Sequence, residues 1–579
     1  MLLLQLTACT QVSRIDLSGQ WTVRLDSADA GMDGAWYGKL YDTPITLPGT
    51  TDMAGLGTPC SLEPALTKPQ MLHLTRAHSY IGPAWYSREV EIPSGWEGKE
   101  LFLHLERVLW DSQVWVDGVK VDGHEESLTT PHRYNLTPYI TKAGRHILTV
   151  RIDNRKRHDI SVKELAHAYT EDTQVKWNGI LGDMYLEALD KVYIKDVQLY
   201  PDVKSHRVKA VVSVCNASGK ACSVDLKLAV TGQTDGAKRG GLEQNLPLPV
   251  GDTEVELDCP LDNDTPLWSE FNPYLCQATV EIADSDIFSQ KTATFGLRNM
   301  EKAGNTLKIN GKPLFLRGTL ECCIFPLTGT PPTDKAGWEK VFGAAREYGM
   351  NHLRFHSWCP PEAAFEVADE MGFYVQVELP VWSVTLGKDS LTADFLREEA
   401  RRISHAYGNH PSFCFWSIGN ELQYDFNLLN SMVAELKQAD NRHLYTATSF
   451  TFEKGHGIWP EPNDDYFVTQ WTKKGWVRGQ GVFNQKAPSF AKDFRASVKG
   501  MKVPLVTHEV GQYSVYPDLS EIDKYTGTLL PLNFMAVKKD LEAKGRLDKA
   551  PLYLQASGKL AAILYKEEIE RALKTPGIS

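Results

Sequence analysis

Cysteine is sparse and scattered. The chain has ten in 579 residues and no Cys-x-x-Cys spacing, which excludes a disulfide framework and a cysteine-ligated zinc site. Cys322 and Cys323 are neighbours, which disfavours a disulfide between them, and most of the ten read as free, buried thiols. Clustered histidine and carboxylate spacing of the metal-ligand kind is also missing, so neither a metal ion nor another cofactor is expected. Positive charge is not in excess: a formal net charge of −11 is mild at this length and argues against nucleic-acid binding. Beyond the first nine residues no apolar run is long enough to span a bilayer.

Those nine residues, Met-Leu-Leu-Leu-Gln-Leu-Thr-Ala-Cys, end like a bacterial lipoprotein signal, in which Cys9 is lipidated after cleavage. The positive n-region is missing and the run is short. Residues 1–10 therefore read either as an ordinary tail or as a signal remnant. The second reading would make the protein a periplasmic or outer-membrane lipoprotein of a bacterium. The sequence says nothing of oligomeric state.

A chain of this length holds two to four domains, and 42% hydrophobic residues with 10% aromatics suffice for packed cores. The fifteen tryptophans fit sugar stacking and ordinary core packing alike. From Gly19-Gln20-Trp21 to about Leu189 short alternating runs broken by Gly, Pro and Asp turns predict an antiparallel sandwich, with Asp117-Gly118 a hairpin signal. A second all-β unit of about one hundred residues follows from Val192 to about Arg298. After Pro313 the pattern becomes strand, helix, strand. Expected strands are 314–320, 351–356, 373–379, 412–418, 444–448, 466–470 and 504–509; expected helices are 338–347, 361–371 and 395–405. That alternation predicts a parallel barrel with right-handed crossovers. Helices are expected at 533–543 and 558–573, the second with Leu560, Ile563, Leu564, Ile569 and Leu573 at helical spacing. The chain stops at Ser579, where an eighth strand should begin. The expectation is a fragment whose barrel lacks its last strand-helix unit and leaves strands one and seven as unpaired edges.

The chemistry-bearing stretch is Pro411 to Gln423. Ser412 to Ile418 is an apolar run buried on both faces, and it delivers Asn420 and Glu421 at its carboxyl end. Val503 to Thr507 delivers His508 and Glu509 in the same way. Strand-end residues of a parallel barrel converge on one mouth, and two carboxyl groups facing each other there are what glycosidic cleavage needs. Trp416-Ser417-Ile418-Gly419-Asn420-Glu421 resembles the acid/base signature of glycoside hydrolase family 2, which includes β-galactosidases, β-glucuronidases and β-mannosidases. Thr507-His508-Glu509 with Gly511 resembles its nucleophile strand. The resemblance implies Glu421 as general acid/base, Glu509 as nucleophile, and Arg354 as the arginine contacting that nucleophile. It also implies a jelly-roll sugar-binding domain (11–189), an immunoglobulin-like sandwich (190–298) and a TIM-type barrel (299–579).

Asn420 can donate its amide to a sugar 2-hydroxyl. His356, Glu378, Trp382, Trp471 and His508 sit at or just after strand ends as candidate pocket walls, and Trp358 is similar; packing explains each as well as substrate contact does. Two departures bear on specificity. Gly318-Thr319-Leu320-Glu321 stands where family members carry Gly-x-Asn-His. No match is found to the Asn and Lys pair that glucuronidases use for the uronate, although Lys473 and Lys474 follow strand six. The leading expectation is a retaining exo-β-glycosidase, galactosidase-like, that trims oligo- or polysaccharides. The rivals are a catalytically impaired carbohydrate-binding protein, a glycosidase for β-glucuronides or α-L-arabinopyranosides, and a metal-dependent hydrolase.

Overall fold

The computed structural model describes residues 13–170, 176–479 and 489–579; the leader-like segment ending at Cys9 lies outside them. The nine cysteines among the described residues are free, five of them buried.

The N-terminal unit is a sandwich of two antiparallel sheets. One is centred on Gly144–Asp153, flanked by Pro83–Ile92 and Asp111–Val116. In the other, Gly179–Leu189 lies between Glu100–Val108 and Ser13–Asp16. Three strands and four strands make the second unit. Its patterning is clearest in Arg207–Asn216, where Val208, Ala210, Val212 and Val214 are all buried and alternate with outward residues. A period of two with one dry face is what a sheet packed on a second sheet requires.

The barrel follows. Strands β1 (Gly318–Glu321), β2 (His352–Phe355), β3 (Tyr374–Glu378), β4 (Phe413–Ser417) and β5 (Leu444–Thr446) are parallel neighbours in that order. Strand β6 (Phe467–Thr469) pairs with β7 (Leu505–Thr507), and Asp465 N donates to Tyr445 O at 2.7 Å to join the two sets. The longer helices are α1 (Lys335–Glu347), α2 (Glu362–Met371), α3 (Ser390–Tyr407), α4 (Phe426–Ala439), α5 (Leu532–Ala543) and α6 (Ala550–Leu573). Asp334, Asp389 and Asp425 cap α1, α3 and α4 by accepting from first-turn amides. Helix α2 ends at Gly372 (φ 73°), where an added Cβ would lie 2.8 Å from the Glu270 backbone, so only glycine fits.

Three expectations are corrected. Lys312–Leu314 belongs to a small antiparallel sheet with Met300–Ala303 and Thr306–Ile309, so β1 starts four residues later than Leu314. Helix α4 was not anticipated. On α6 only Leu564 of the five apolar residues is buried, the others being about half exposed, and Glu567 and Glu568 are buried instead. Nor is β7 without a partner along its whole edge: Ser579 N donates to Leu505 O at 2.7 Å, while Ser579 O accepts from Leu316 N, two residues before β1, at 2.7 Å.

Both β-units grip the barrel through polar groups. Buried Glu399 on α3 accepts from Ser127 Oγ, Leu128 N and Thr129 Oγ1 at 3.1, 2.8 and 2.6 Å. Arg298 donates to the carbonyls of Pro411, Phe413 and Arg442 at 2.9, 2.9 and 2.7 Å, fixing the entrance of β4.

Candidate active site

Every residue of β4 is buried, so the strand is held by packing on both faces and its end is rigid. Beyond it Asn420 N donates to Val381 O, and Glu421 N to Ser449 O, each at 3.1 Å. The loop after β4 is thus held between those after β3 and β5. After β7, His508 N donates to Thr469 O at 2.9 Å. Glu421 (φ 47°), Glu509 (φ 52°) and Gln512 (φ 39°) all occupy the left-handed region. Such backbone costs on the order of 1 kcal/mol per residue and collects where geometry matters more than stability.

One carboxylate oxygen from each of Glu421 and Glu509 and a ring nitrogen of His508 lie within 4.8 Å of one another. The histidine–carboxylate grouping that linear spacing did not reveal therefore exists in the fold. It is not shaped for a cation. Gln470 Nε2, a donor, reaches His508 Nδ1 at 3.2 Å, so Nε2 carries the hydrogen and presents it to Asn420 Oδ1 and Glu509 Oε1, both at 3.2 Å.

The two carboxyls are pushed apart in proton affinity. Glu421 is raised to about 7, first by burial and then by the Glu509 charge. For Glu509 burial acts upward but is outweighed by His508, the His356 hydrogen bond and Arg354, leaving it well below the ordinary carboxylate range. Burial also drives the proton affinity of His508 well below the ordinary imidazole value, and with its hydrogen on Nε2 it is an N–H donor toward Glu509. His356 Nε2 stands 3.1 Å and Arg354 Nη1 3.8 Å from Glu509 Oε1.

Arg354 also donates Nε to Glu378 at 2.6 Å and Nη2 to Asn420 Oδ1 at 2.6 Å. Because arginine only donates, Asn420 must turn its oxygen toward it. Its buried Nδ2 is left without a hydrogen-bond partner among the described residues, a donor still to be satisfied. Glu378, expected at the pocket wall, is fully buried. It also accepts from Ser357 N, Gln376 Nε2 and Ser449 Oγ, so it is the counter-ion beneath Arg354 rather than a surface for substrate. The half-buried Trp382 ring lies 5.1 Å from His356, and Trp471 packs on Phe450 at 4.6 Å. Trp358 is a core residue whose indole donates to Glu321 O. Lys473 lies over the Trp459 ring, and Lys474 donates to Lys499 O.

Three neighbours were not anticipated. Arg478, 1% exposed, donates to His508 O at 2.6 Å and to Gln512 Oε1 at 2.8 Å, with Nη1 3.9 Å from Glu509 Oε2. Gln512 donates Nε2 to Glu509 Oε2 at 2.6 Å. His167 enters from the N-terminal sandwich: its ring lies 4.4 Å from His356 and its amide donates to Ser357 Oγ. Arg478 and Gln512 lie outside the matched signatures and His167 outside the barrel, so no local pattern marks any of the three. Two clefts of about 350 and 420 Å³ between the second β-unit and helices α2–α4 contain no part of this constellation.

Comparison with known proteins agrees with this division of the chain. Models of glycosyl hydrolases family 2 match in three parts: the sugar binding domain over residues 15–189, a second domain over 192–298, and the TIM barrel domain over 300–512. A β-galactosidase of Thermoanaerobacter pseudethanolicus is 25% identical over 350 residues, covering 60% of this chain and 46% of that protein. One of Oenococcus oeni is 25% identical over 338 residues, covering 54% and 31%. The crystal structure of Parabacteroides merdae β-glucuronidase superposes with a TM-score of 0.67 at 18% identity, covering 90% of this chain and 64% of that one. The chain spans less than half the length of either curated relative.

Proposed function

Since the chain belongs to glycosyl hydrolases family 2, we propose that it is a retaining exo-β-glycosidase acting on terminal sugars by double displacement, most nearly galactosidase-like. The observation carrying this reading is the pair of opposed proton affinities at one mouth. Glu509, ionised and beside Arg354, attacks the anomeric carbon, while Glu421, protonated, gives its proton to the departing oxygen. The glycosyl-enzyme that forms uses up the Glu509 charge. Glu421 then loses one cause of its raised proton affinity and acts as base toward water. Asn420 Nδ2 binds the 2-hydroxyl, a contact that strengthens as charge develops at the neighbouring carbon.

One oxygen of each carboxylate lying within 4.8 Å of the other supports retention, because inversion needs the two carboxyl groups about 6.5–9.5 Å apart to admit water. The galactosidase-like reading is supported by the two β-galactosidases above and by Lys473 and Lys474, both engaged away from the dyad. A β-glucuronidase is the second reading, favoured by the structural likeness. A screen of aryl β-glycosides decides between them. Replacing Glu509 by Gln should abolish turnover of the best substrate, and azide should rescue Glu509→Ala with release of an α-glycosyl azide. Undiminished hydrolysis by Glu509→Gln would remove Glu509 as nucleophile and leave a sugar-binding protein or another chemistry.

A further inference from the structure

Ser357, two residues past β2, is fully buried and holds φ 52°, in the left-handed region. Glycine would sit there at lower cost, and strained backbone of this kind collects at functional sites. Every polar group of Ser357 is engaged. Its amide donates to Glu378 Oε2 at 2.7 Å, and its carbonyl accepts from Ala168 N at 3.2 Å. Its hydroxyl oxygen accepts from His167 N at 2.9 Å and stands 3.2 Å from His356 Nδ1. Two of these partners, His167 and Ala168, come from the N-terminal sandwich.

The hydrogen on this hydroxyl has one acceptor among the described residues, His356 Nδ1. The other ring nitrogen, Nε2, lies 3.1 Å from Glu509 Oε1. An ionised carboxylate only accepts, so Nε2 carries a hydrogen. If Nδ1 carried one as well, the ring and the His167 amide would both donate to Ser357 Oγ, and the hydroxyl hydrogen would be buried without an acceptor. A neutral ring with its hydrogen on Nε2 satisfies every group in the chain, because the bond made by one imidazole nitrogen decides which of the two is protonated.

We propose that Ser357 is a positioning residue: its hydroxyl, oriented by the His167 amide, donates to His356 Nδ1 and fixes the tautomer in which His356 gives its Nε2 hydrogen to Glu509. The effect on turnover rests on the glycosidase reading above; the tautomer does not. The carboxylate that reading assigns to attack is thereby aimed through a chain of donors that starts on another domain.

The test is nitrogen NMR of the full chain, isotope-labelled at the histidine ring nitrogens, the His356 signals being those lost in His356→Gln. Near neutral pH the parent should show His356 Nε2 protonated and Nδ1 unprotonated. Ser357→Ala and Ser357→Gly both remove the hydroxyl, and glycine adopts a φ of 52° without strain, so that variant should melt close to the parent. In both, the His356 signals should move toward those of mixed tautomers. The kcat for the best aryl glycoside should fall about tenfold, the size of one misdirected hydrogen bond, with KM near that of the parent. A parent His356 ring with its hydrogen on Nδ1, or with both nitrogens protonated, overturns the proposal. So do variants that keep the parent's tautomer, and so does a mixed tautomer with undiminished kcat. If the parent hydrolyses no aryl glycoside, the glycosidase reading fails by itself, and the ring signals still decide: loss of the single tautomer in both variants supports the role of the hydroxyl, and its retention overturns it.

Discussion

Glu421 and Glu509 end the same kind of strand with the same side chain, and their surroundings alone drive their proton affinities apart. In the proposed double displacement Glu421 starts protonated, and its value of about 7 then puts the alkaline limb of kcat/KM near pH 7, with a tenfold loss for each further unit. Glu509 must be ionised, so the acid limb should fall below the ordinary carboxylate range. That second limb tests Arg478 and Gln512. Arg478 takes the Gln512 oxygen and thereby points its amide nitrogen at Glu509, so Gln512→Leu or Arg478→Met should raise the acid limb toward ordinary values; a limb that does not move would mean the two residues only pack. The same shifts bear on stability. A carboxyl whose folded value is raised contributes stability that is present below its unfolded value, ~4.3, and is lost as pH climbs through about 7. Glu421→Gln should therefore gain in melting temperature relative to the parent as pH rises from 4 to 8, while losing turnover.

At the scale of elements, strands β2 to β4 are legible in the sequence because both faces are buried, which leaves short unbroken apolar runs ending at their functional residues. Helix α4 carries its own signals, Asp425 as cap and buried Phe426, Leu429, Val433 and Leu436 at helical spacing, but its position just past Asn420-Glu421-Leu422 lets it pass for the tail of that loop. Helix α6 misleads in the other direction. Its apolar residues suggest a core-facing stripe, yet the side it buries carries Glu567 and Glu568, which take the amides of Ser489 and Gly479 and the hydroxyl of Tyr513. Period alone does not reveal which side of a helix meets polar backbone. The difference is measurable by denaturant unfolding: Leu564→Ala should cost about 2–4 kcal/mol, whereas Leu560→Gln should stay within about 0.5 kcal/mol. Substituting Glu568 by Ala, far in sequence from Glu421 and Glu509, should lower the proposed activity because it releases the segments bearing Arg478 and Gln512.

Across the whole molecule the candidate active site belongs to more than the barrel. His167 and the Ile160–Val162 backbone, which pairs with Trp382, come from the N-terminal sandwich, while Arg298 at the end of the second β-unit holds the entrance of β4. No single-domain pattern in the sequence encodes these contacts, because they arise only when separately patterned units dock. They also couple the stability of the units. Glu399 is the acceptor for one amide and two hydroxyls of the sandwich, and each donor left buried without a partner costs about 1–3 kcal/mol. Glu399→Ala should therefore destabilise by on the order of 3 kcal/mol or more, although the residue touches no substrate. If docking makes one cooperative unit, near-UV dichroism, tryptophan fluorescence and residual activity should all move together to lower denaturant. An N-terminal sandwich that melted in an earlier, separate transition would carry away the pocket wall at His167 first, so activity would vanish while the barrel signal persisted. Coincident curves in both proteins are the expected result, since the sandwich holds the barrel through buried polar groups that neither unit can satisfy alone.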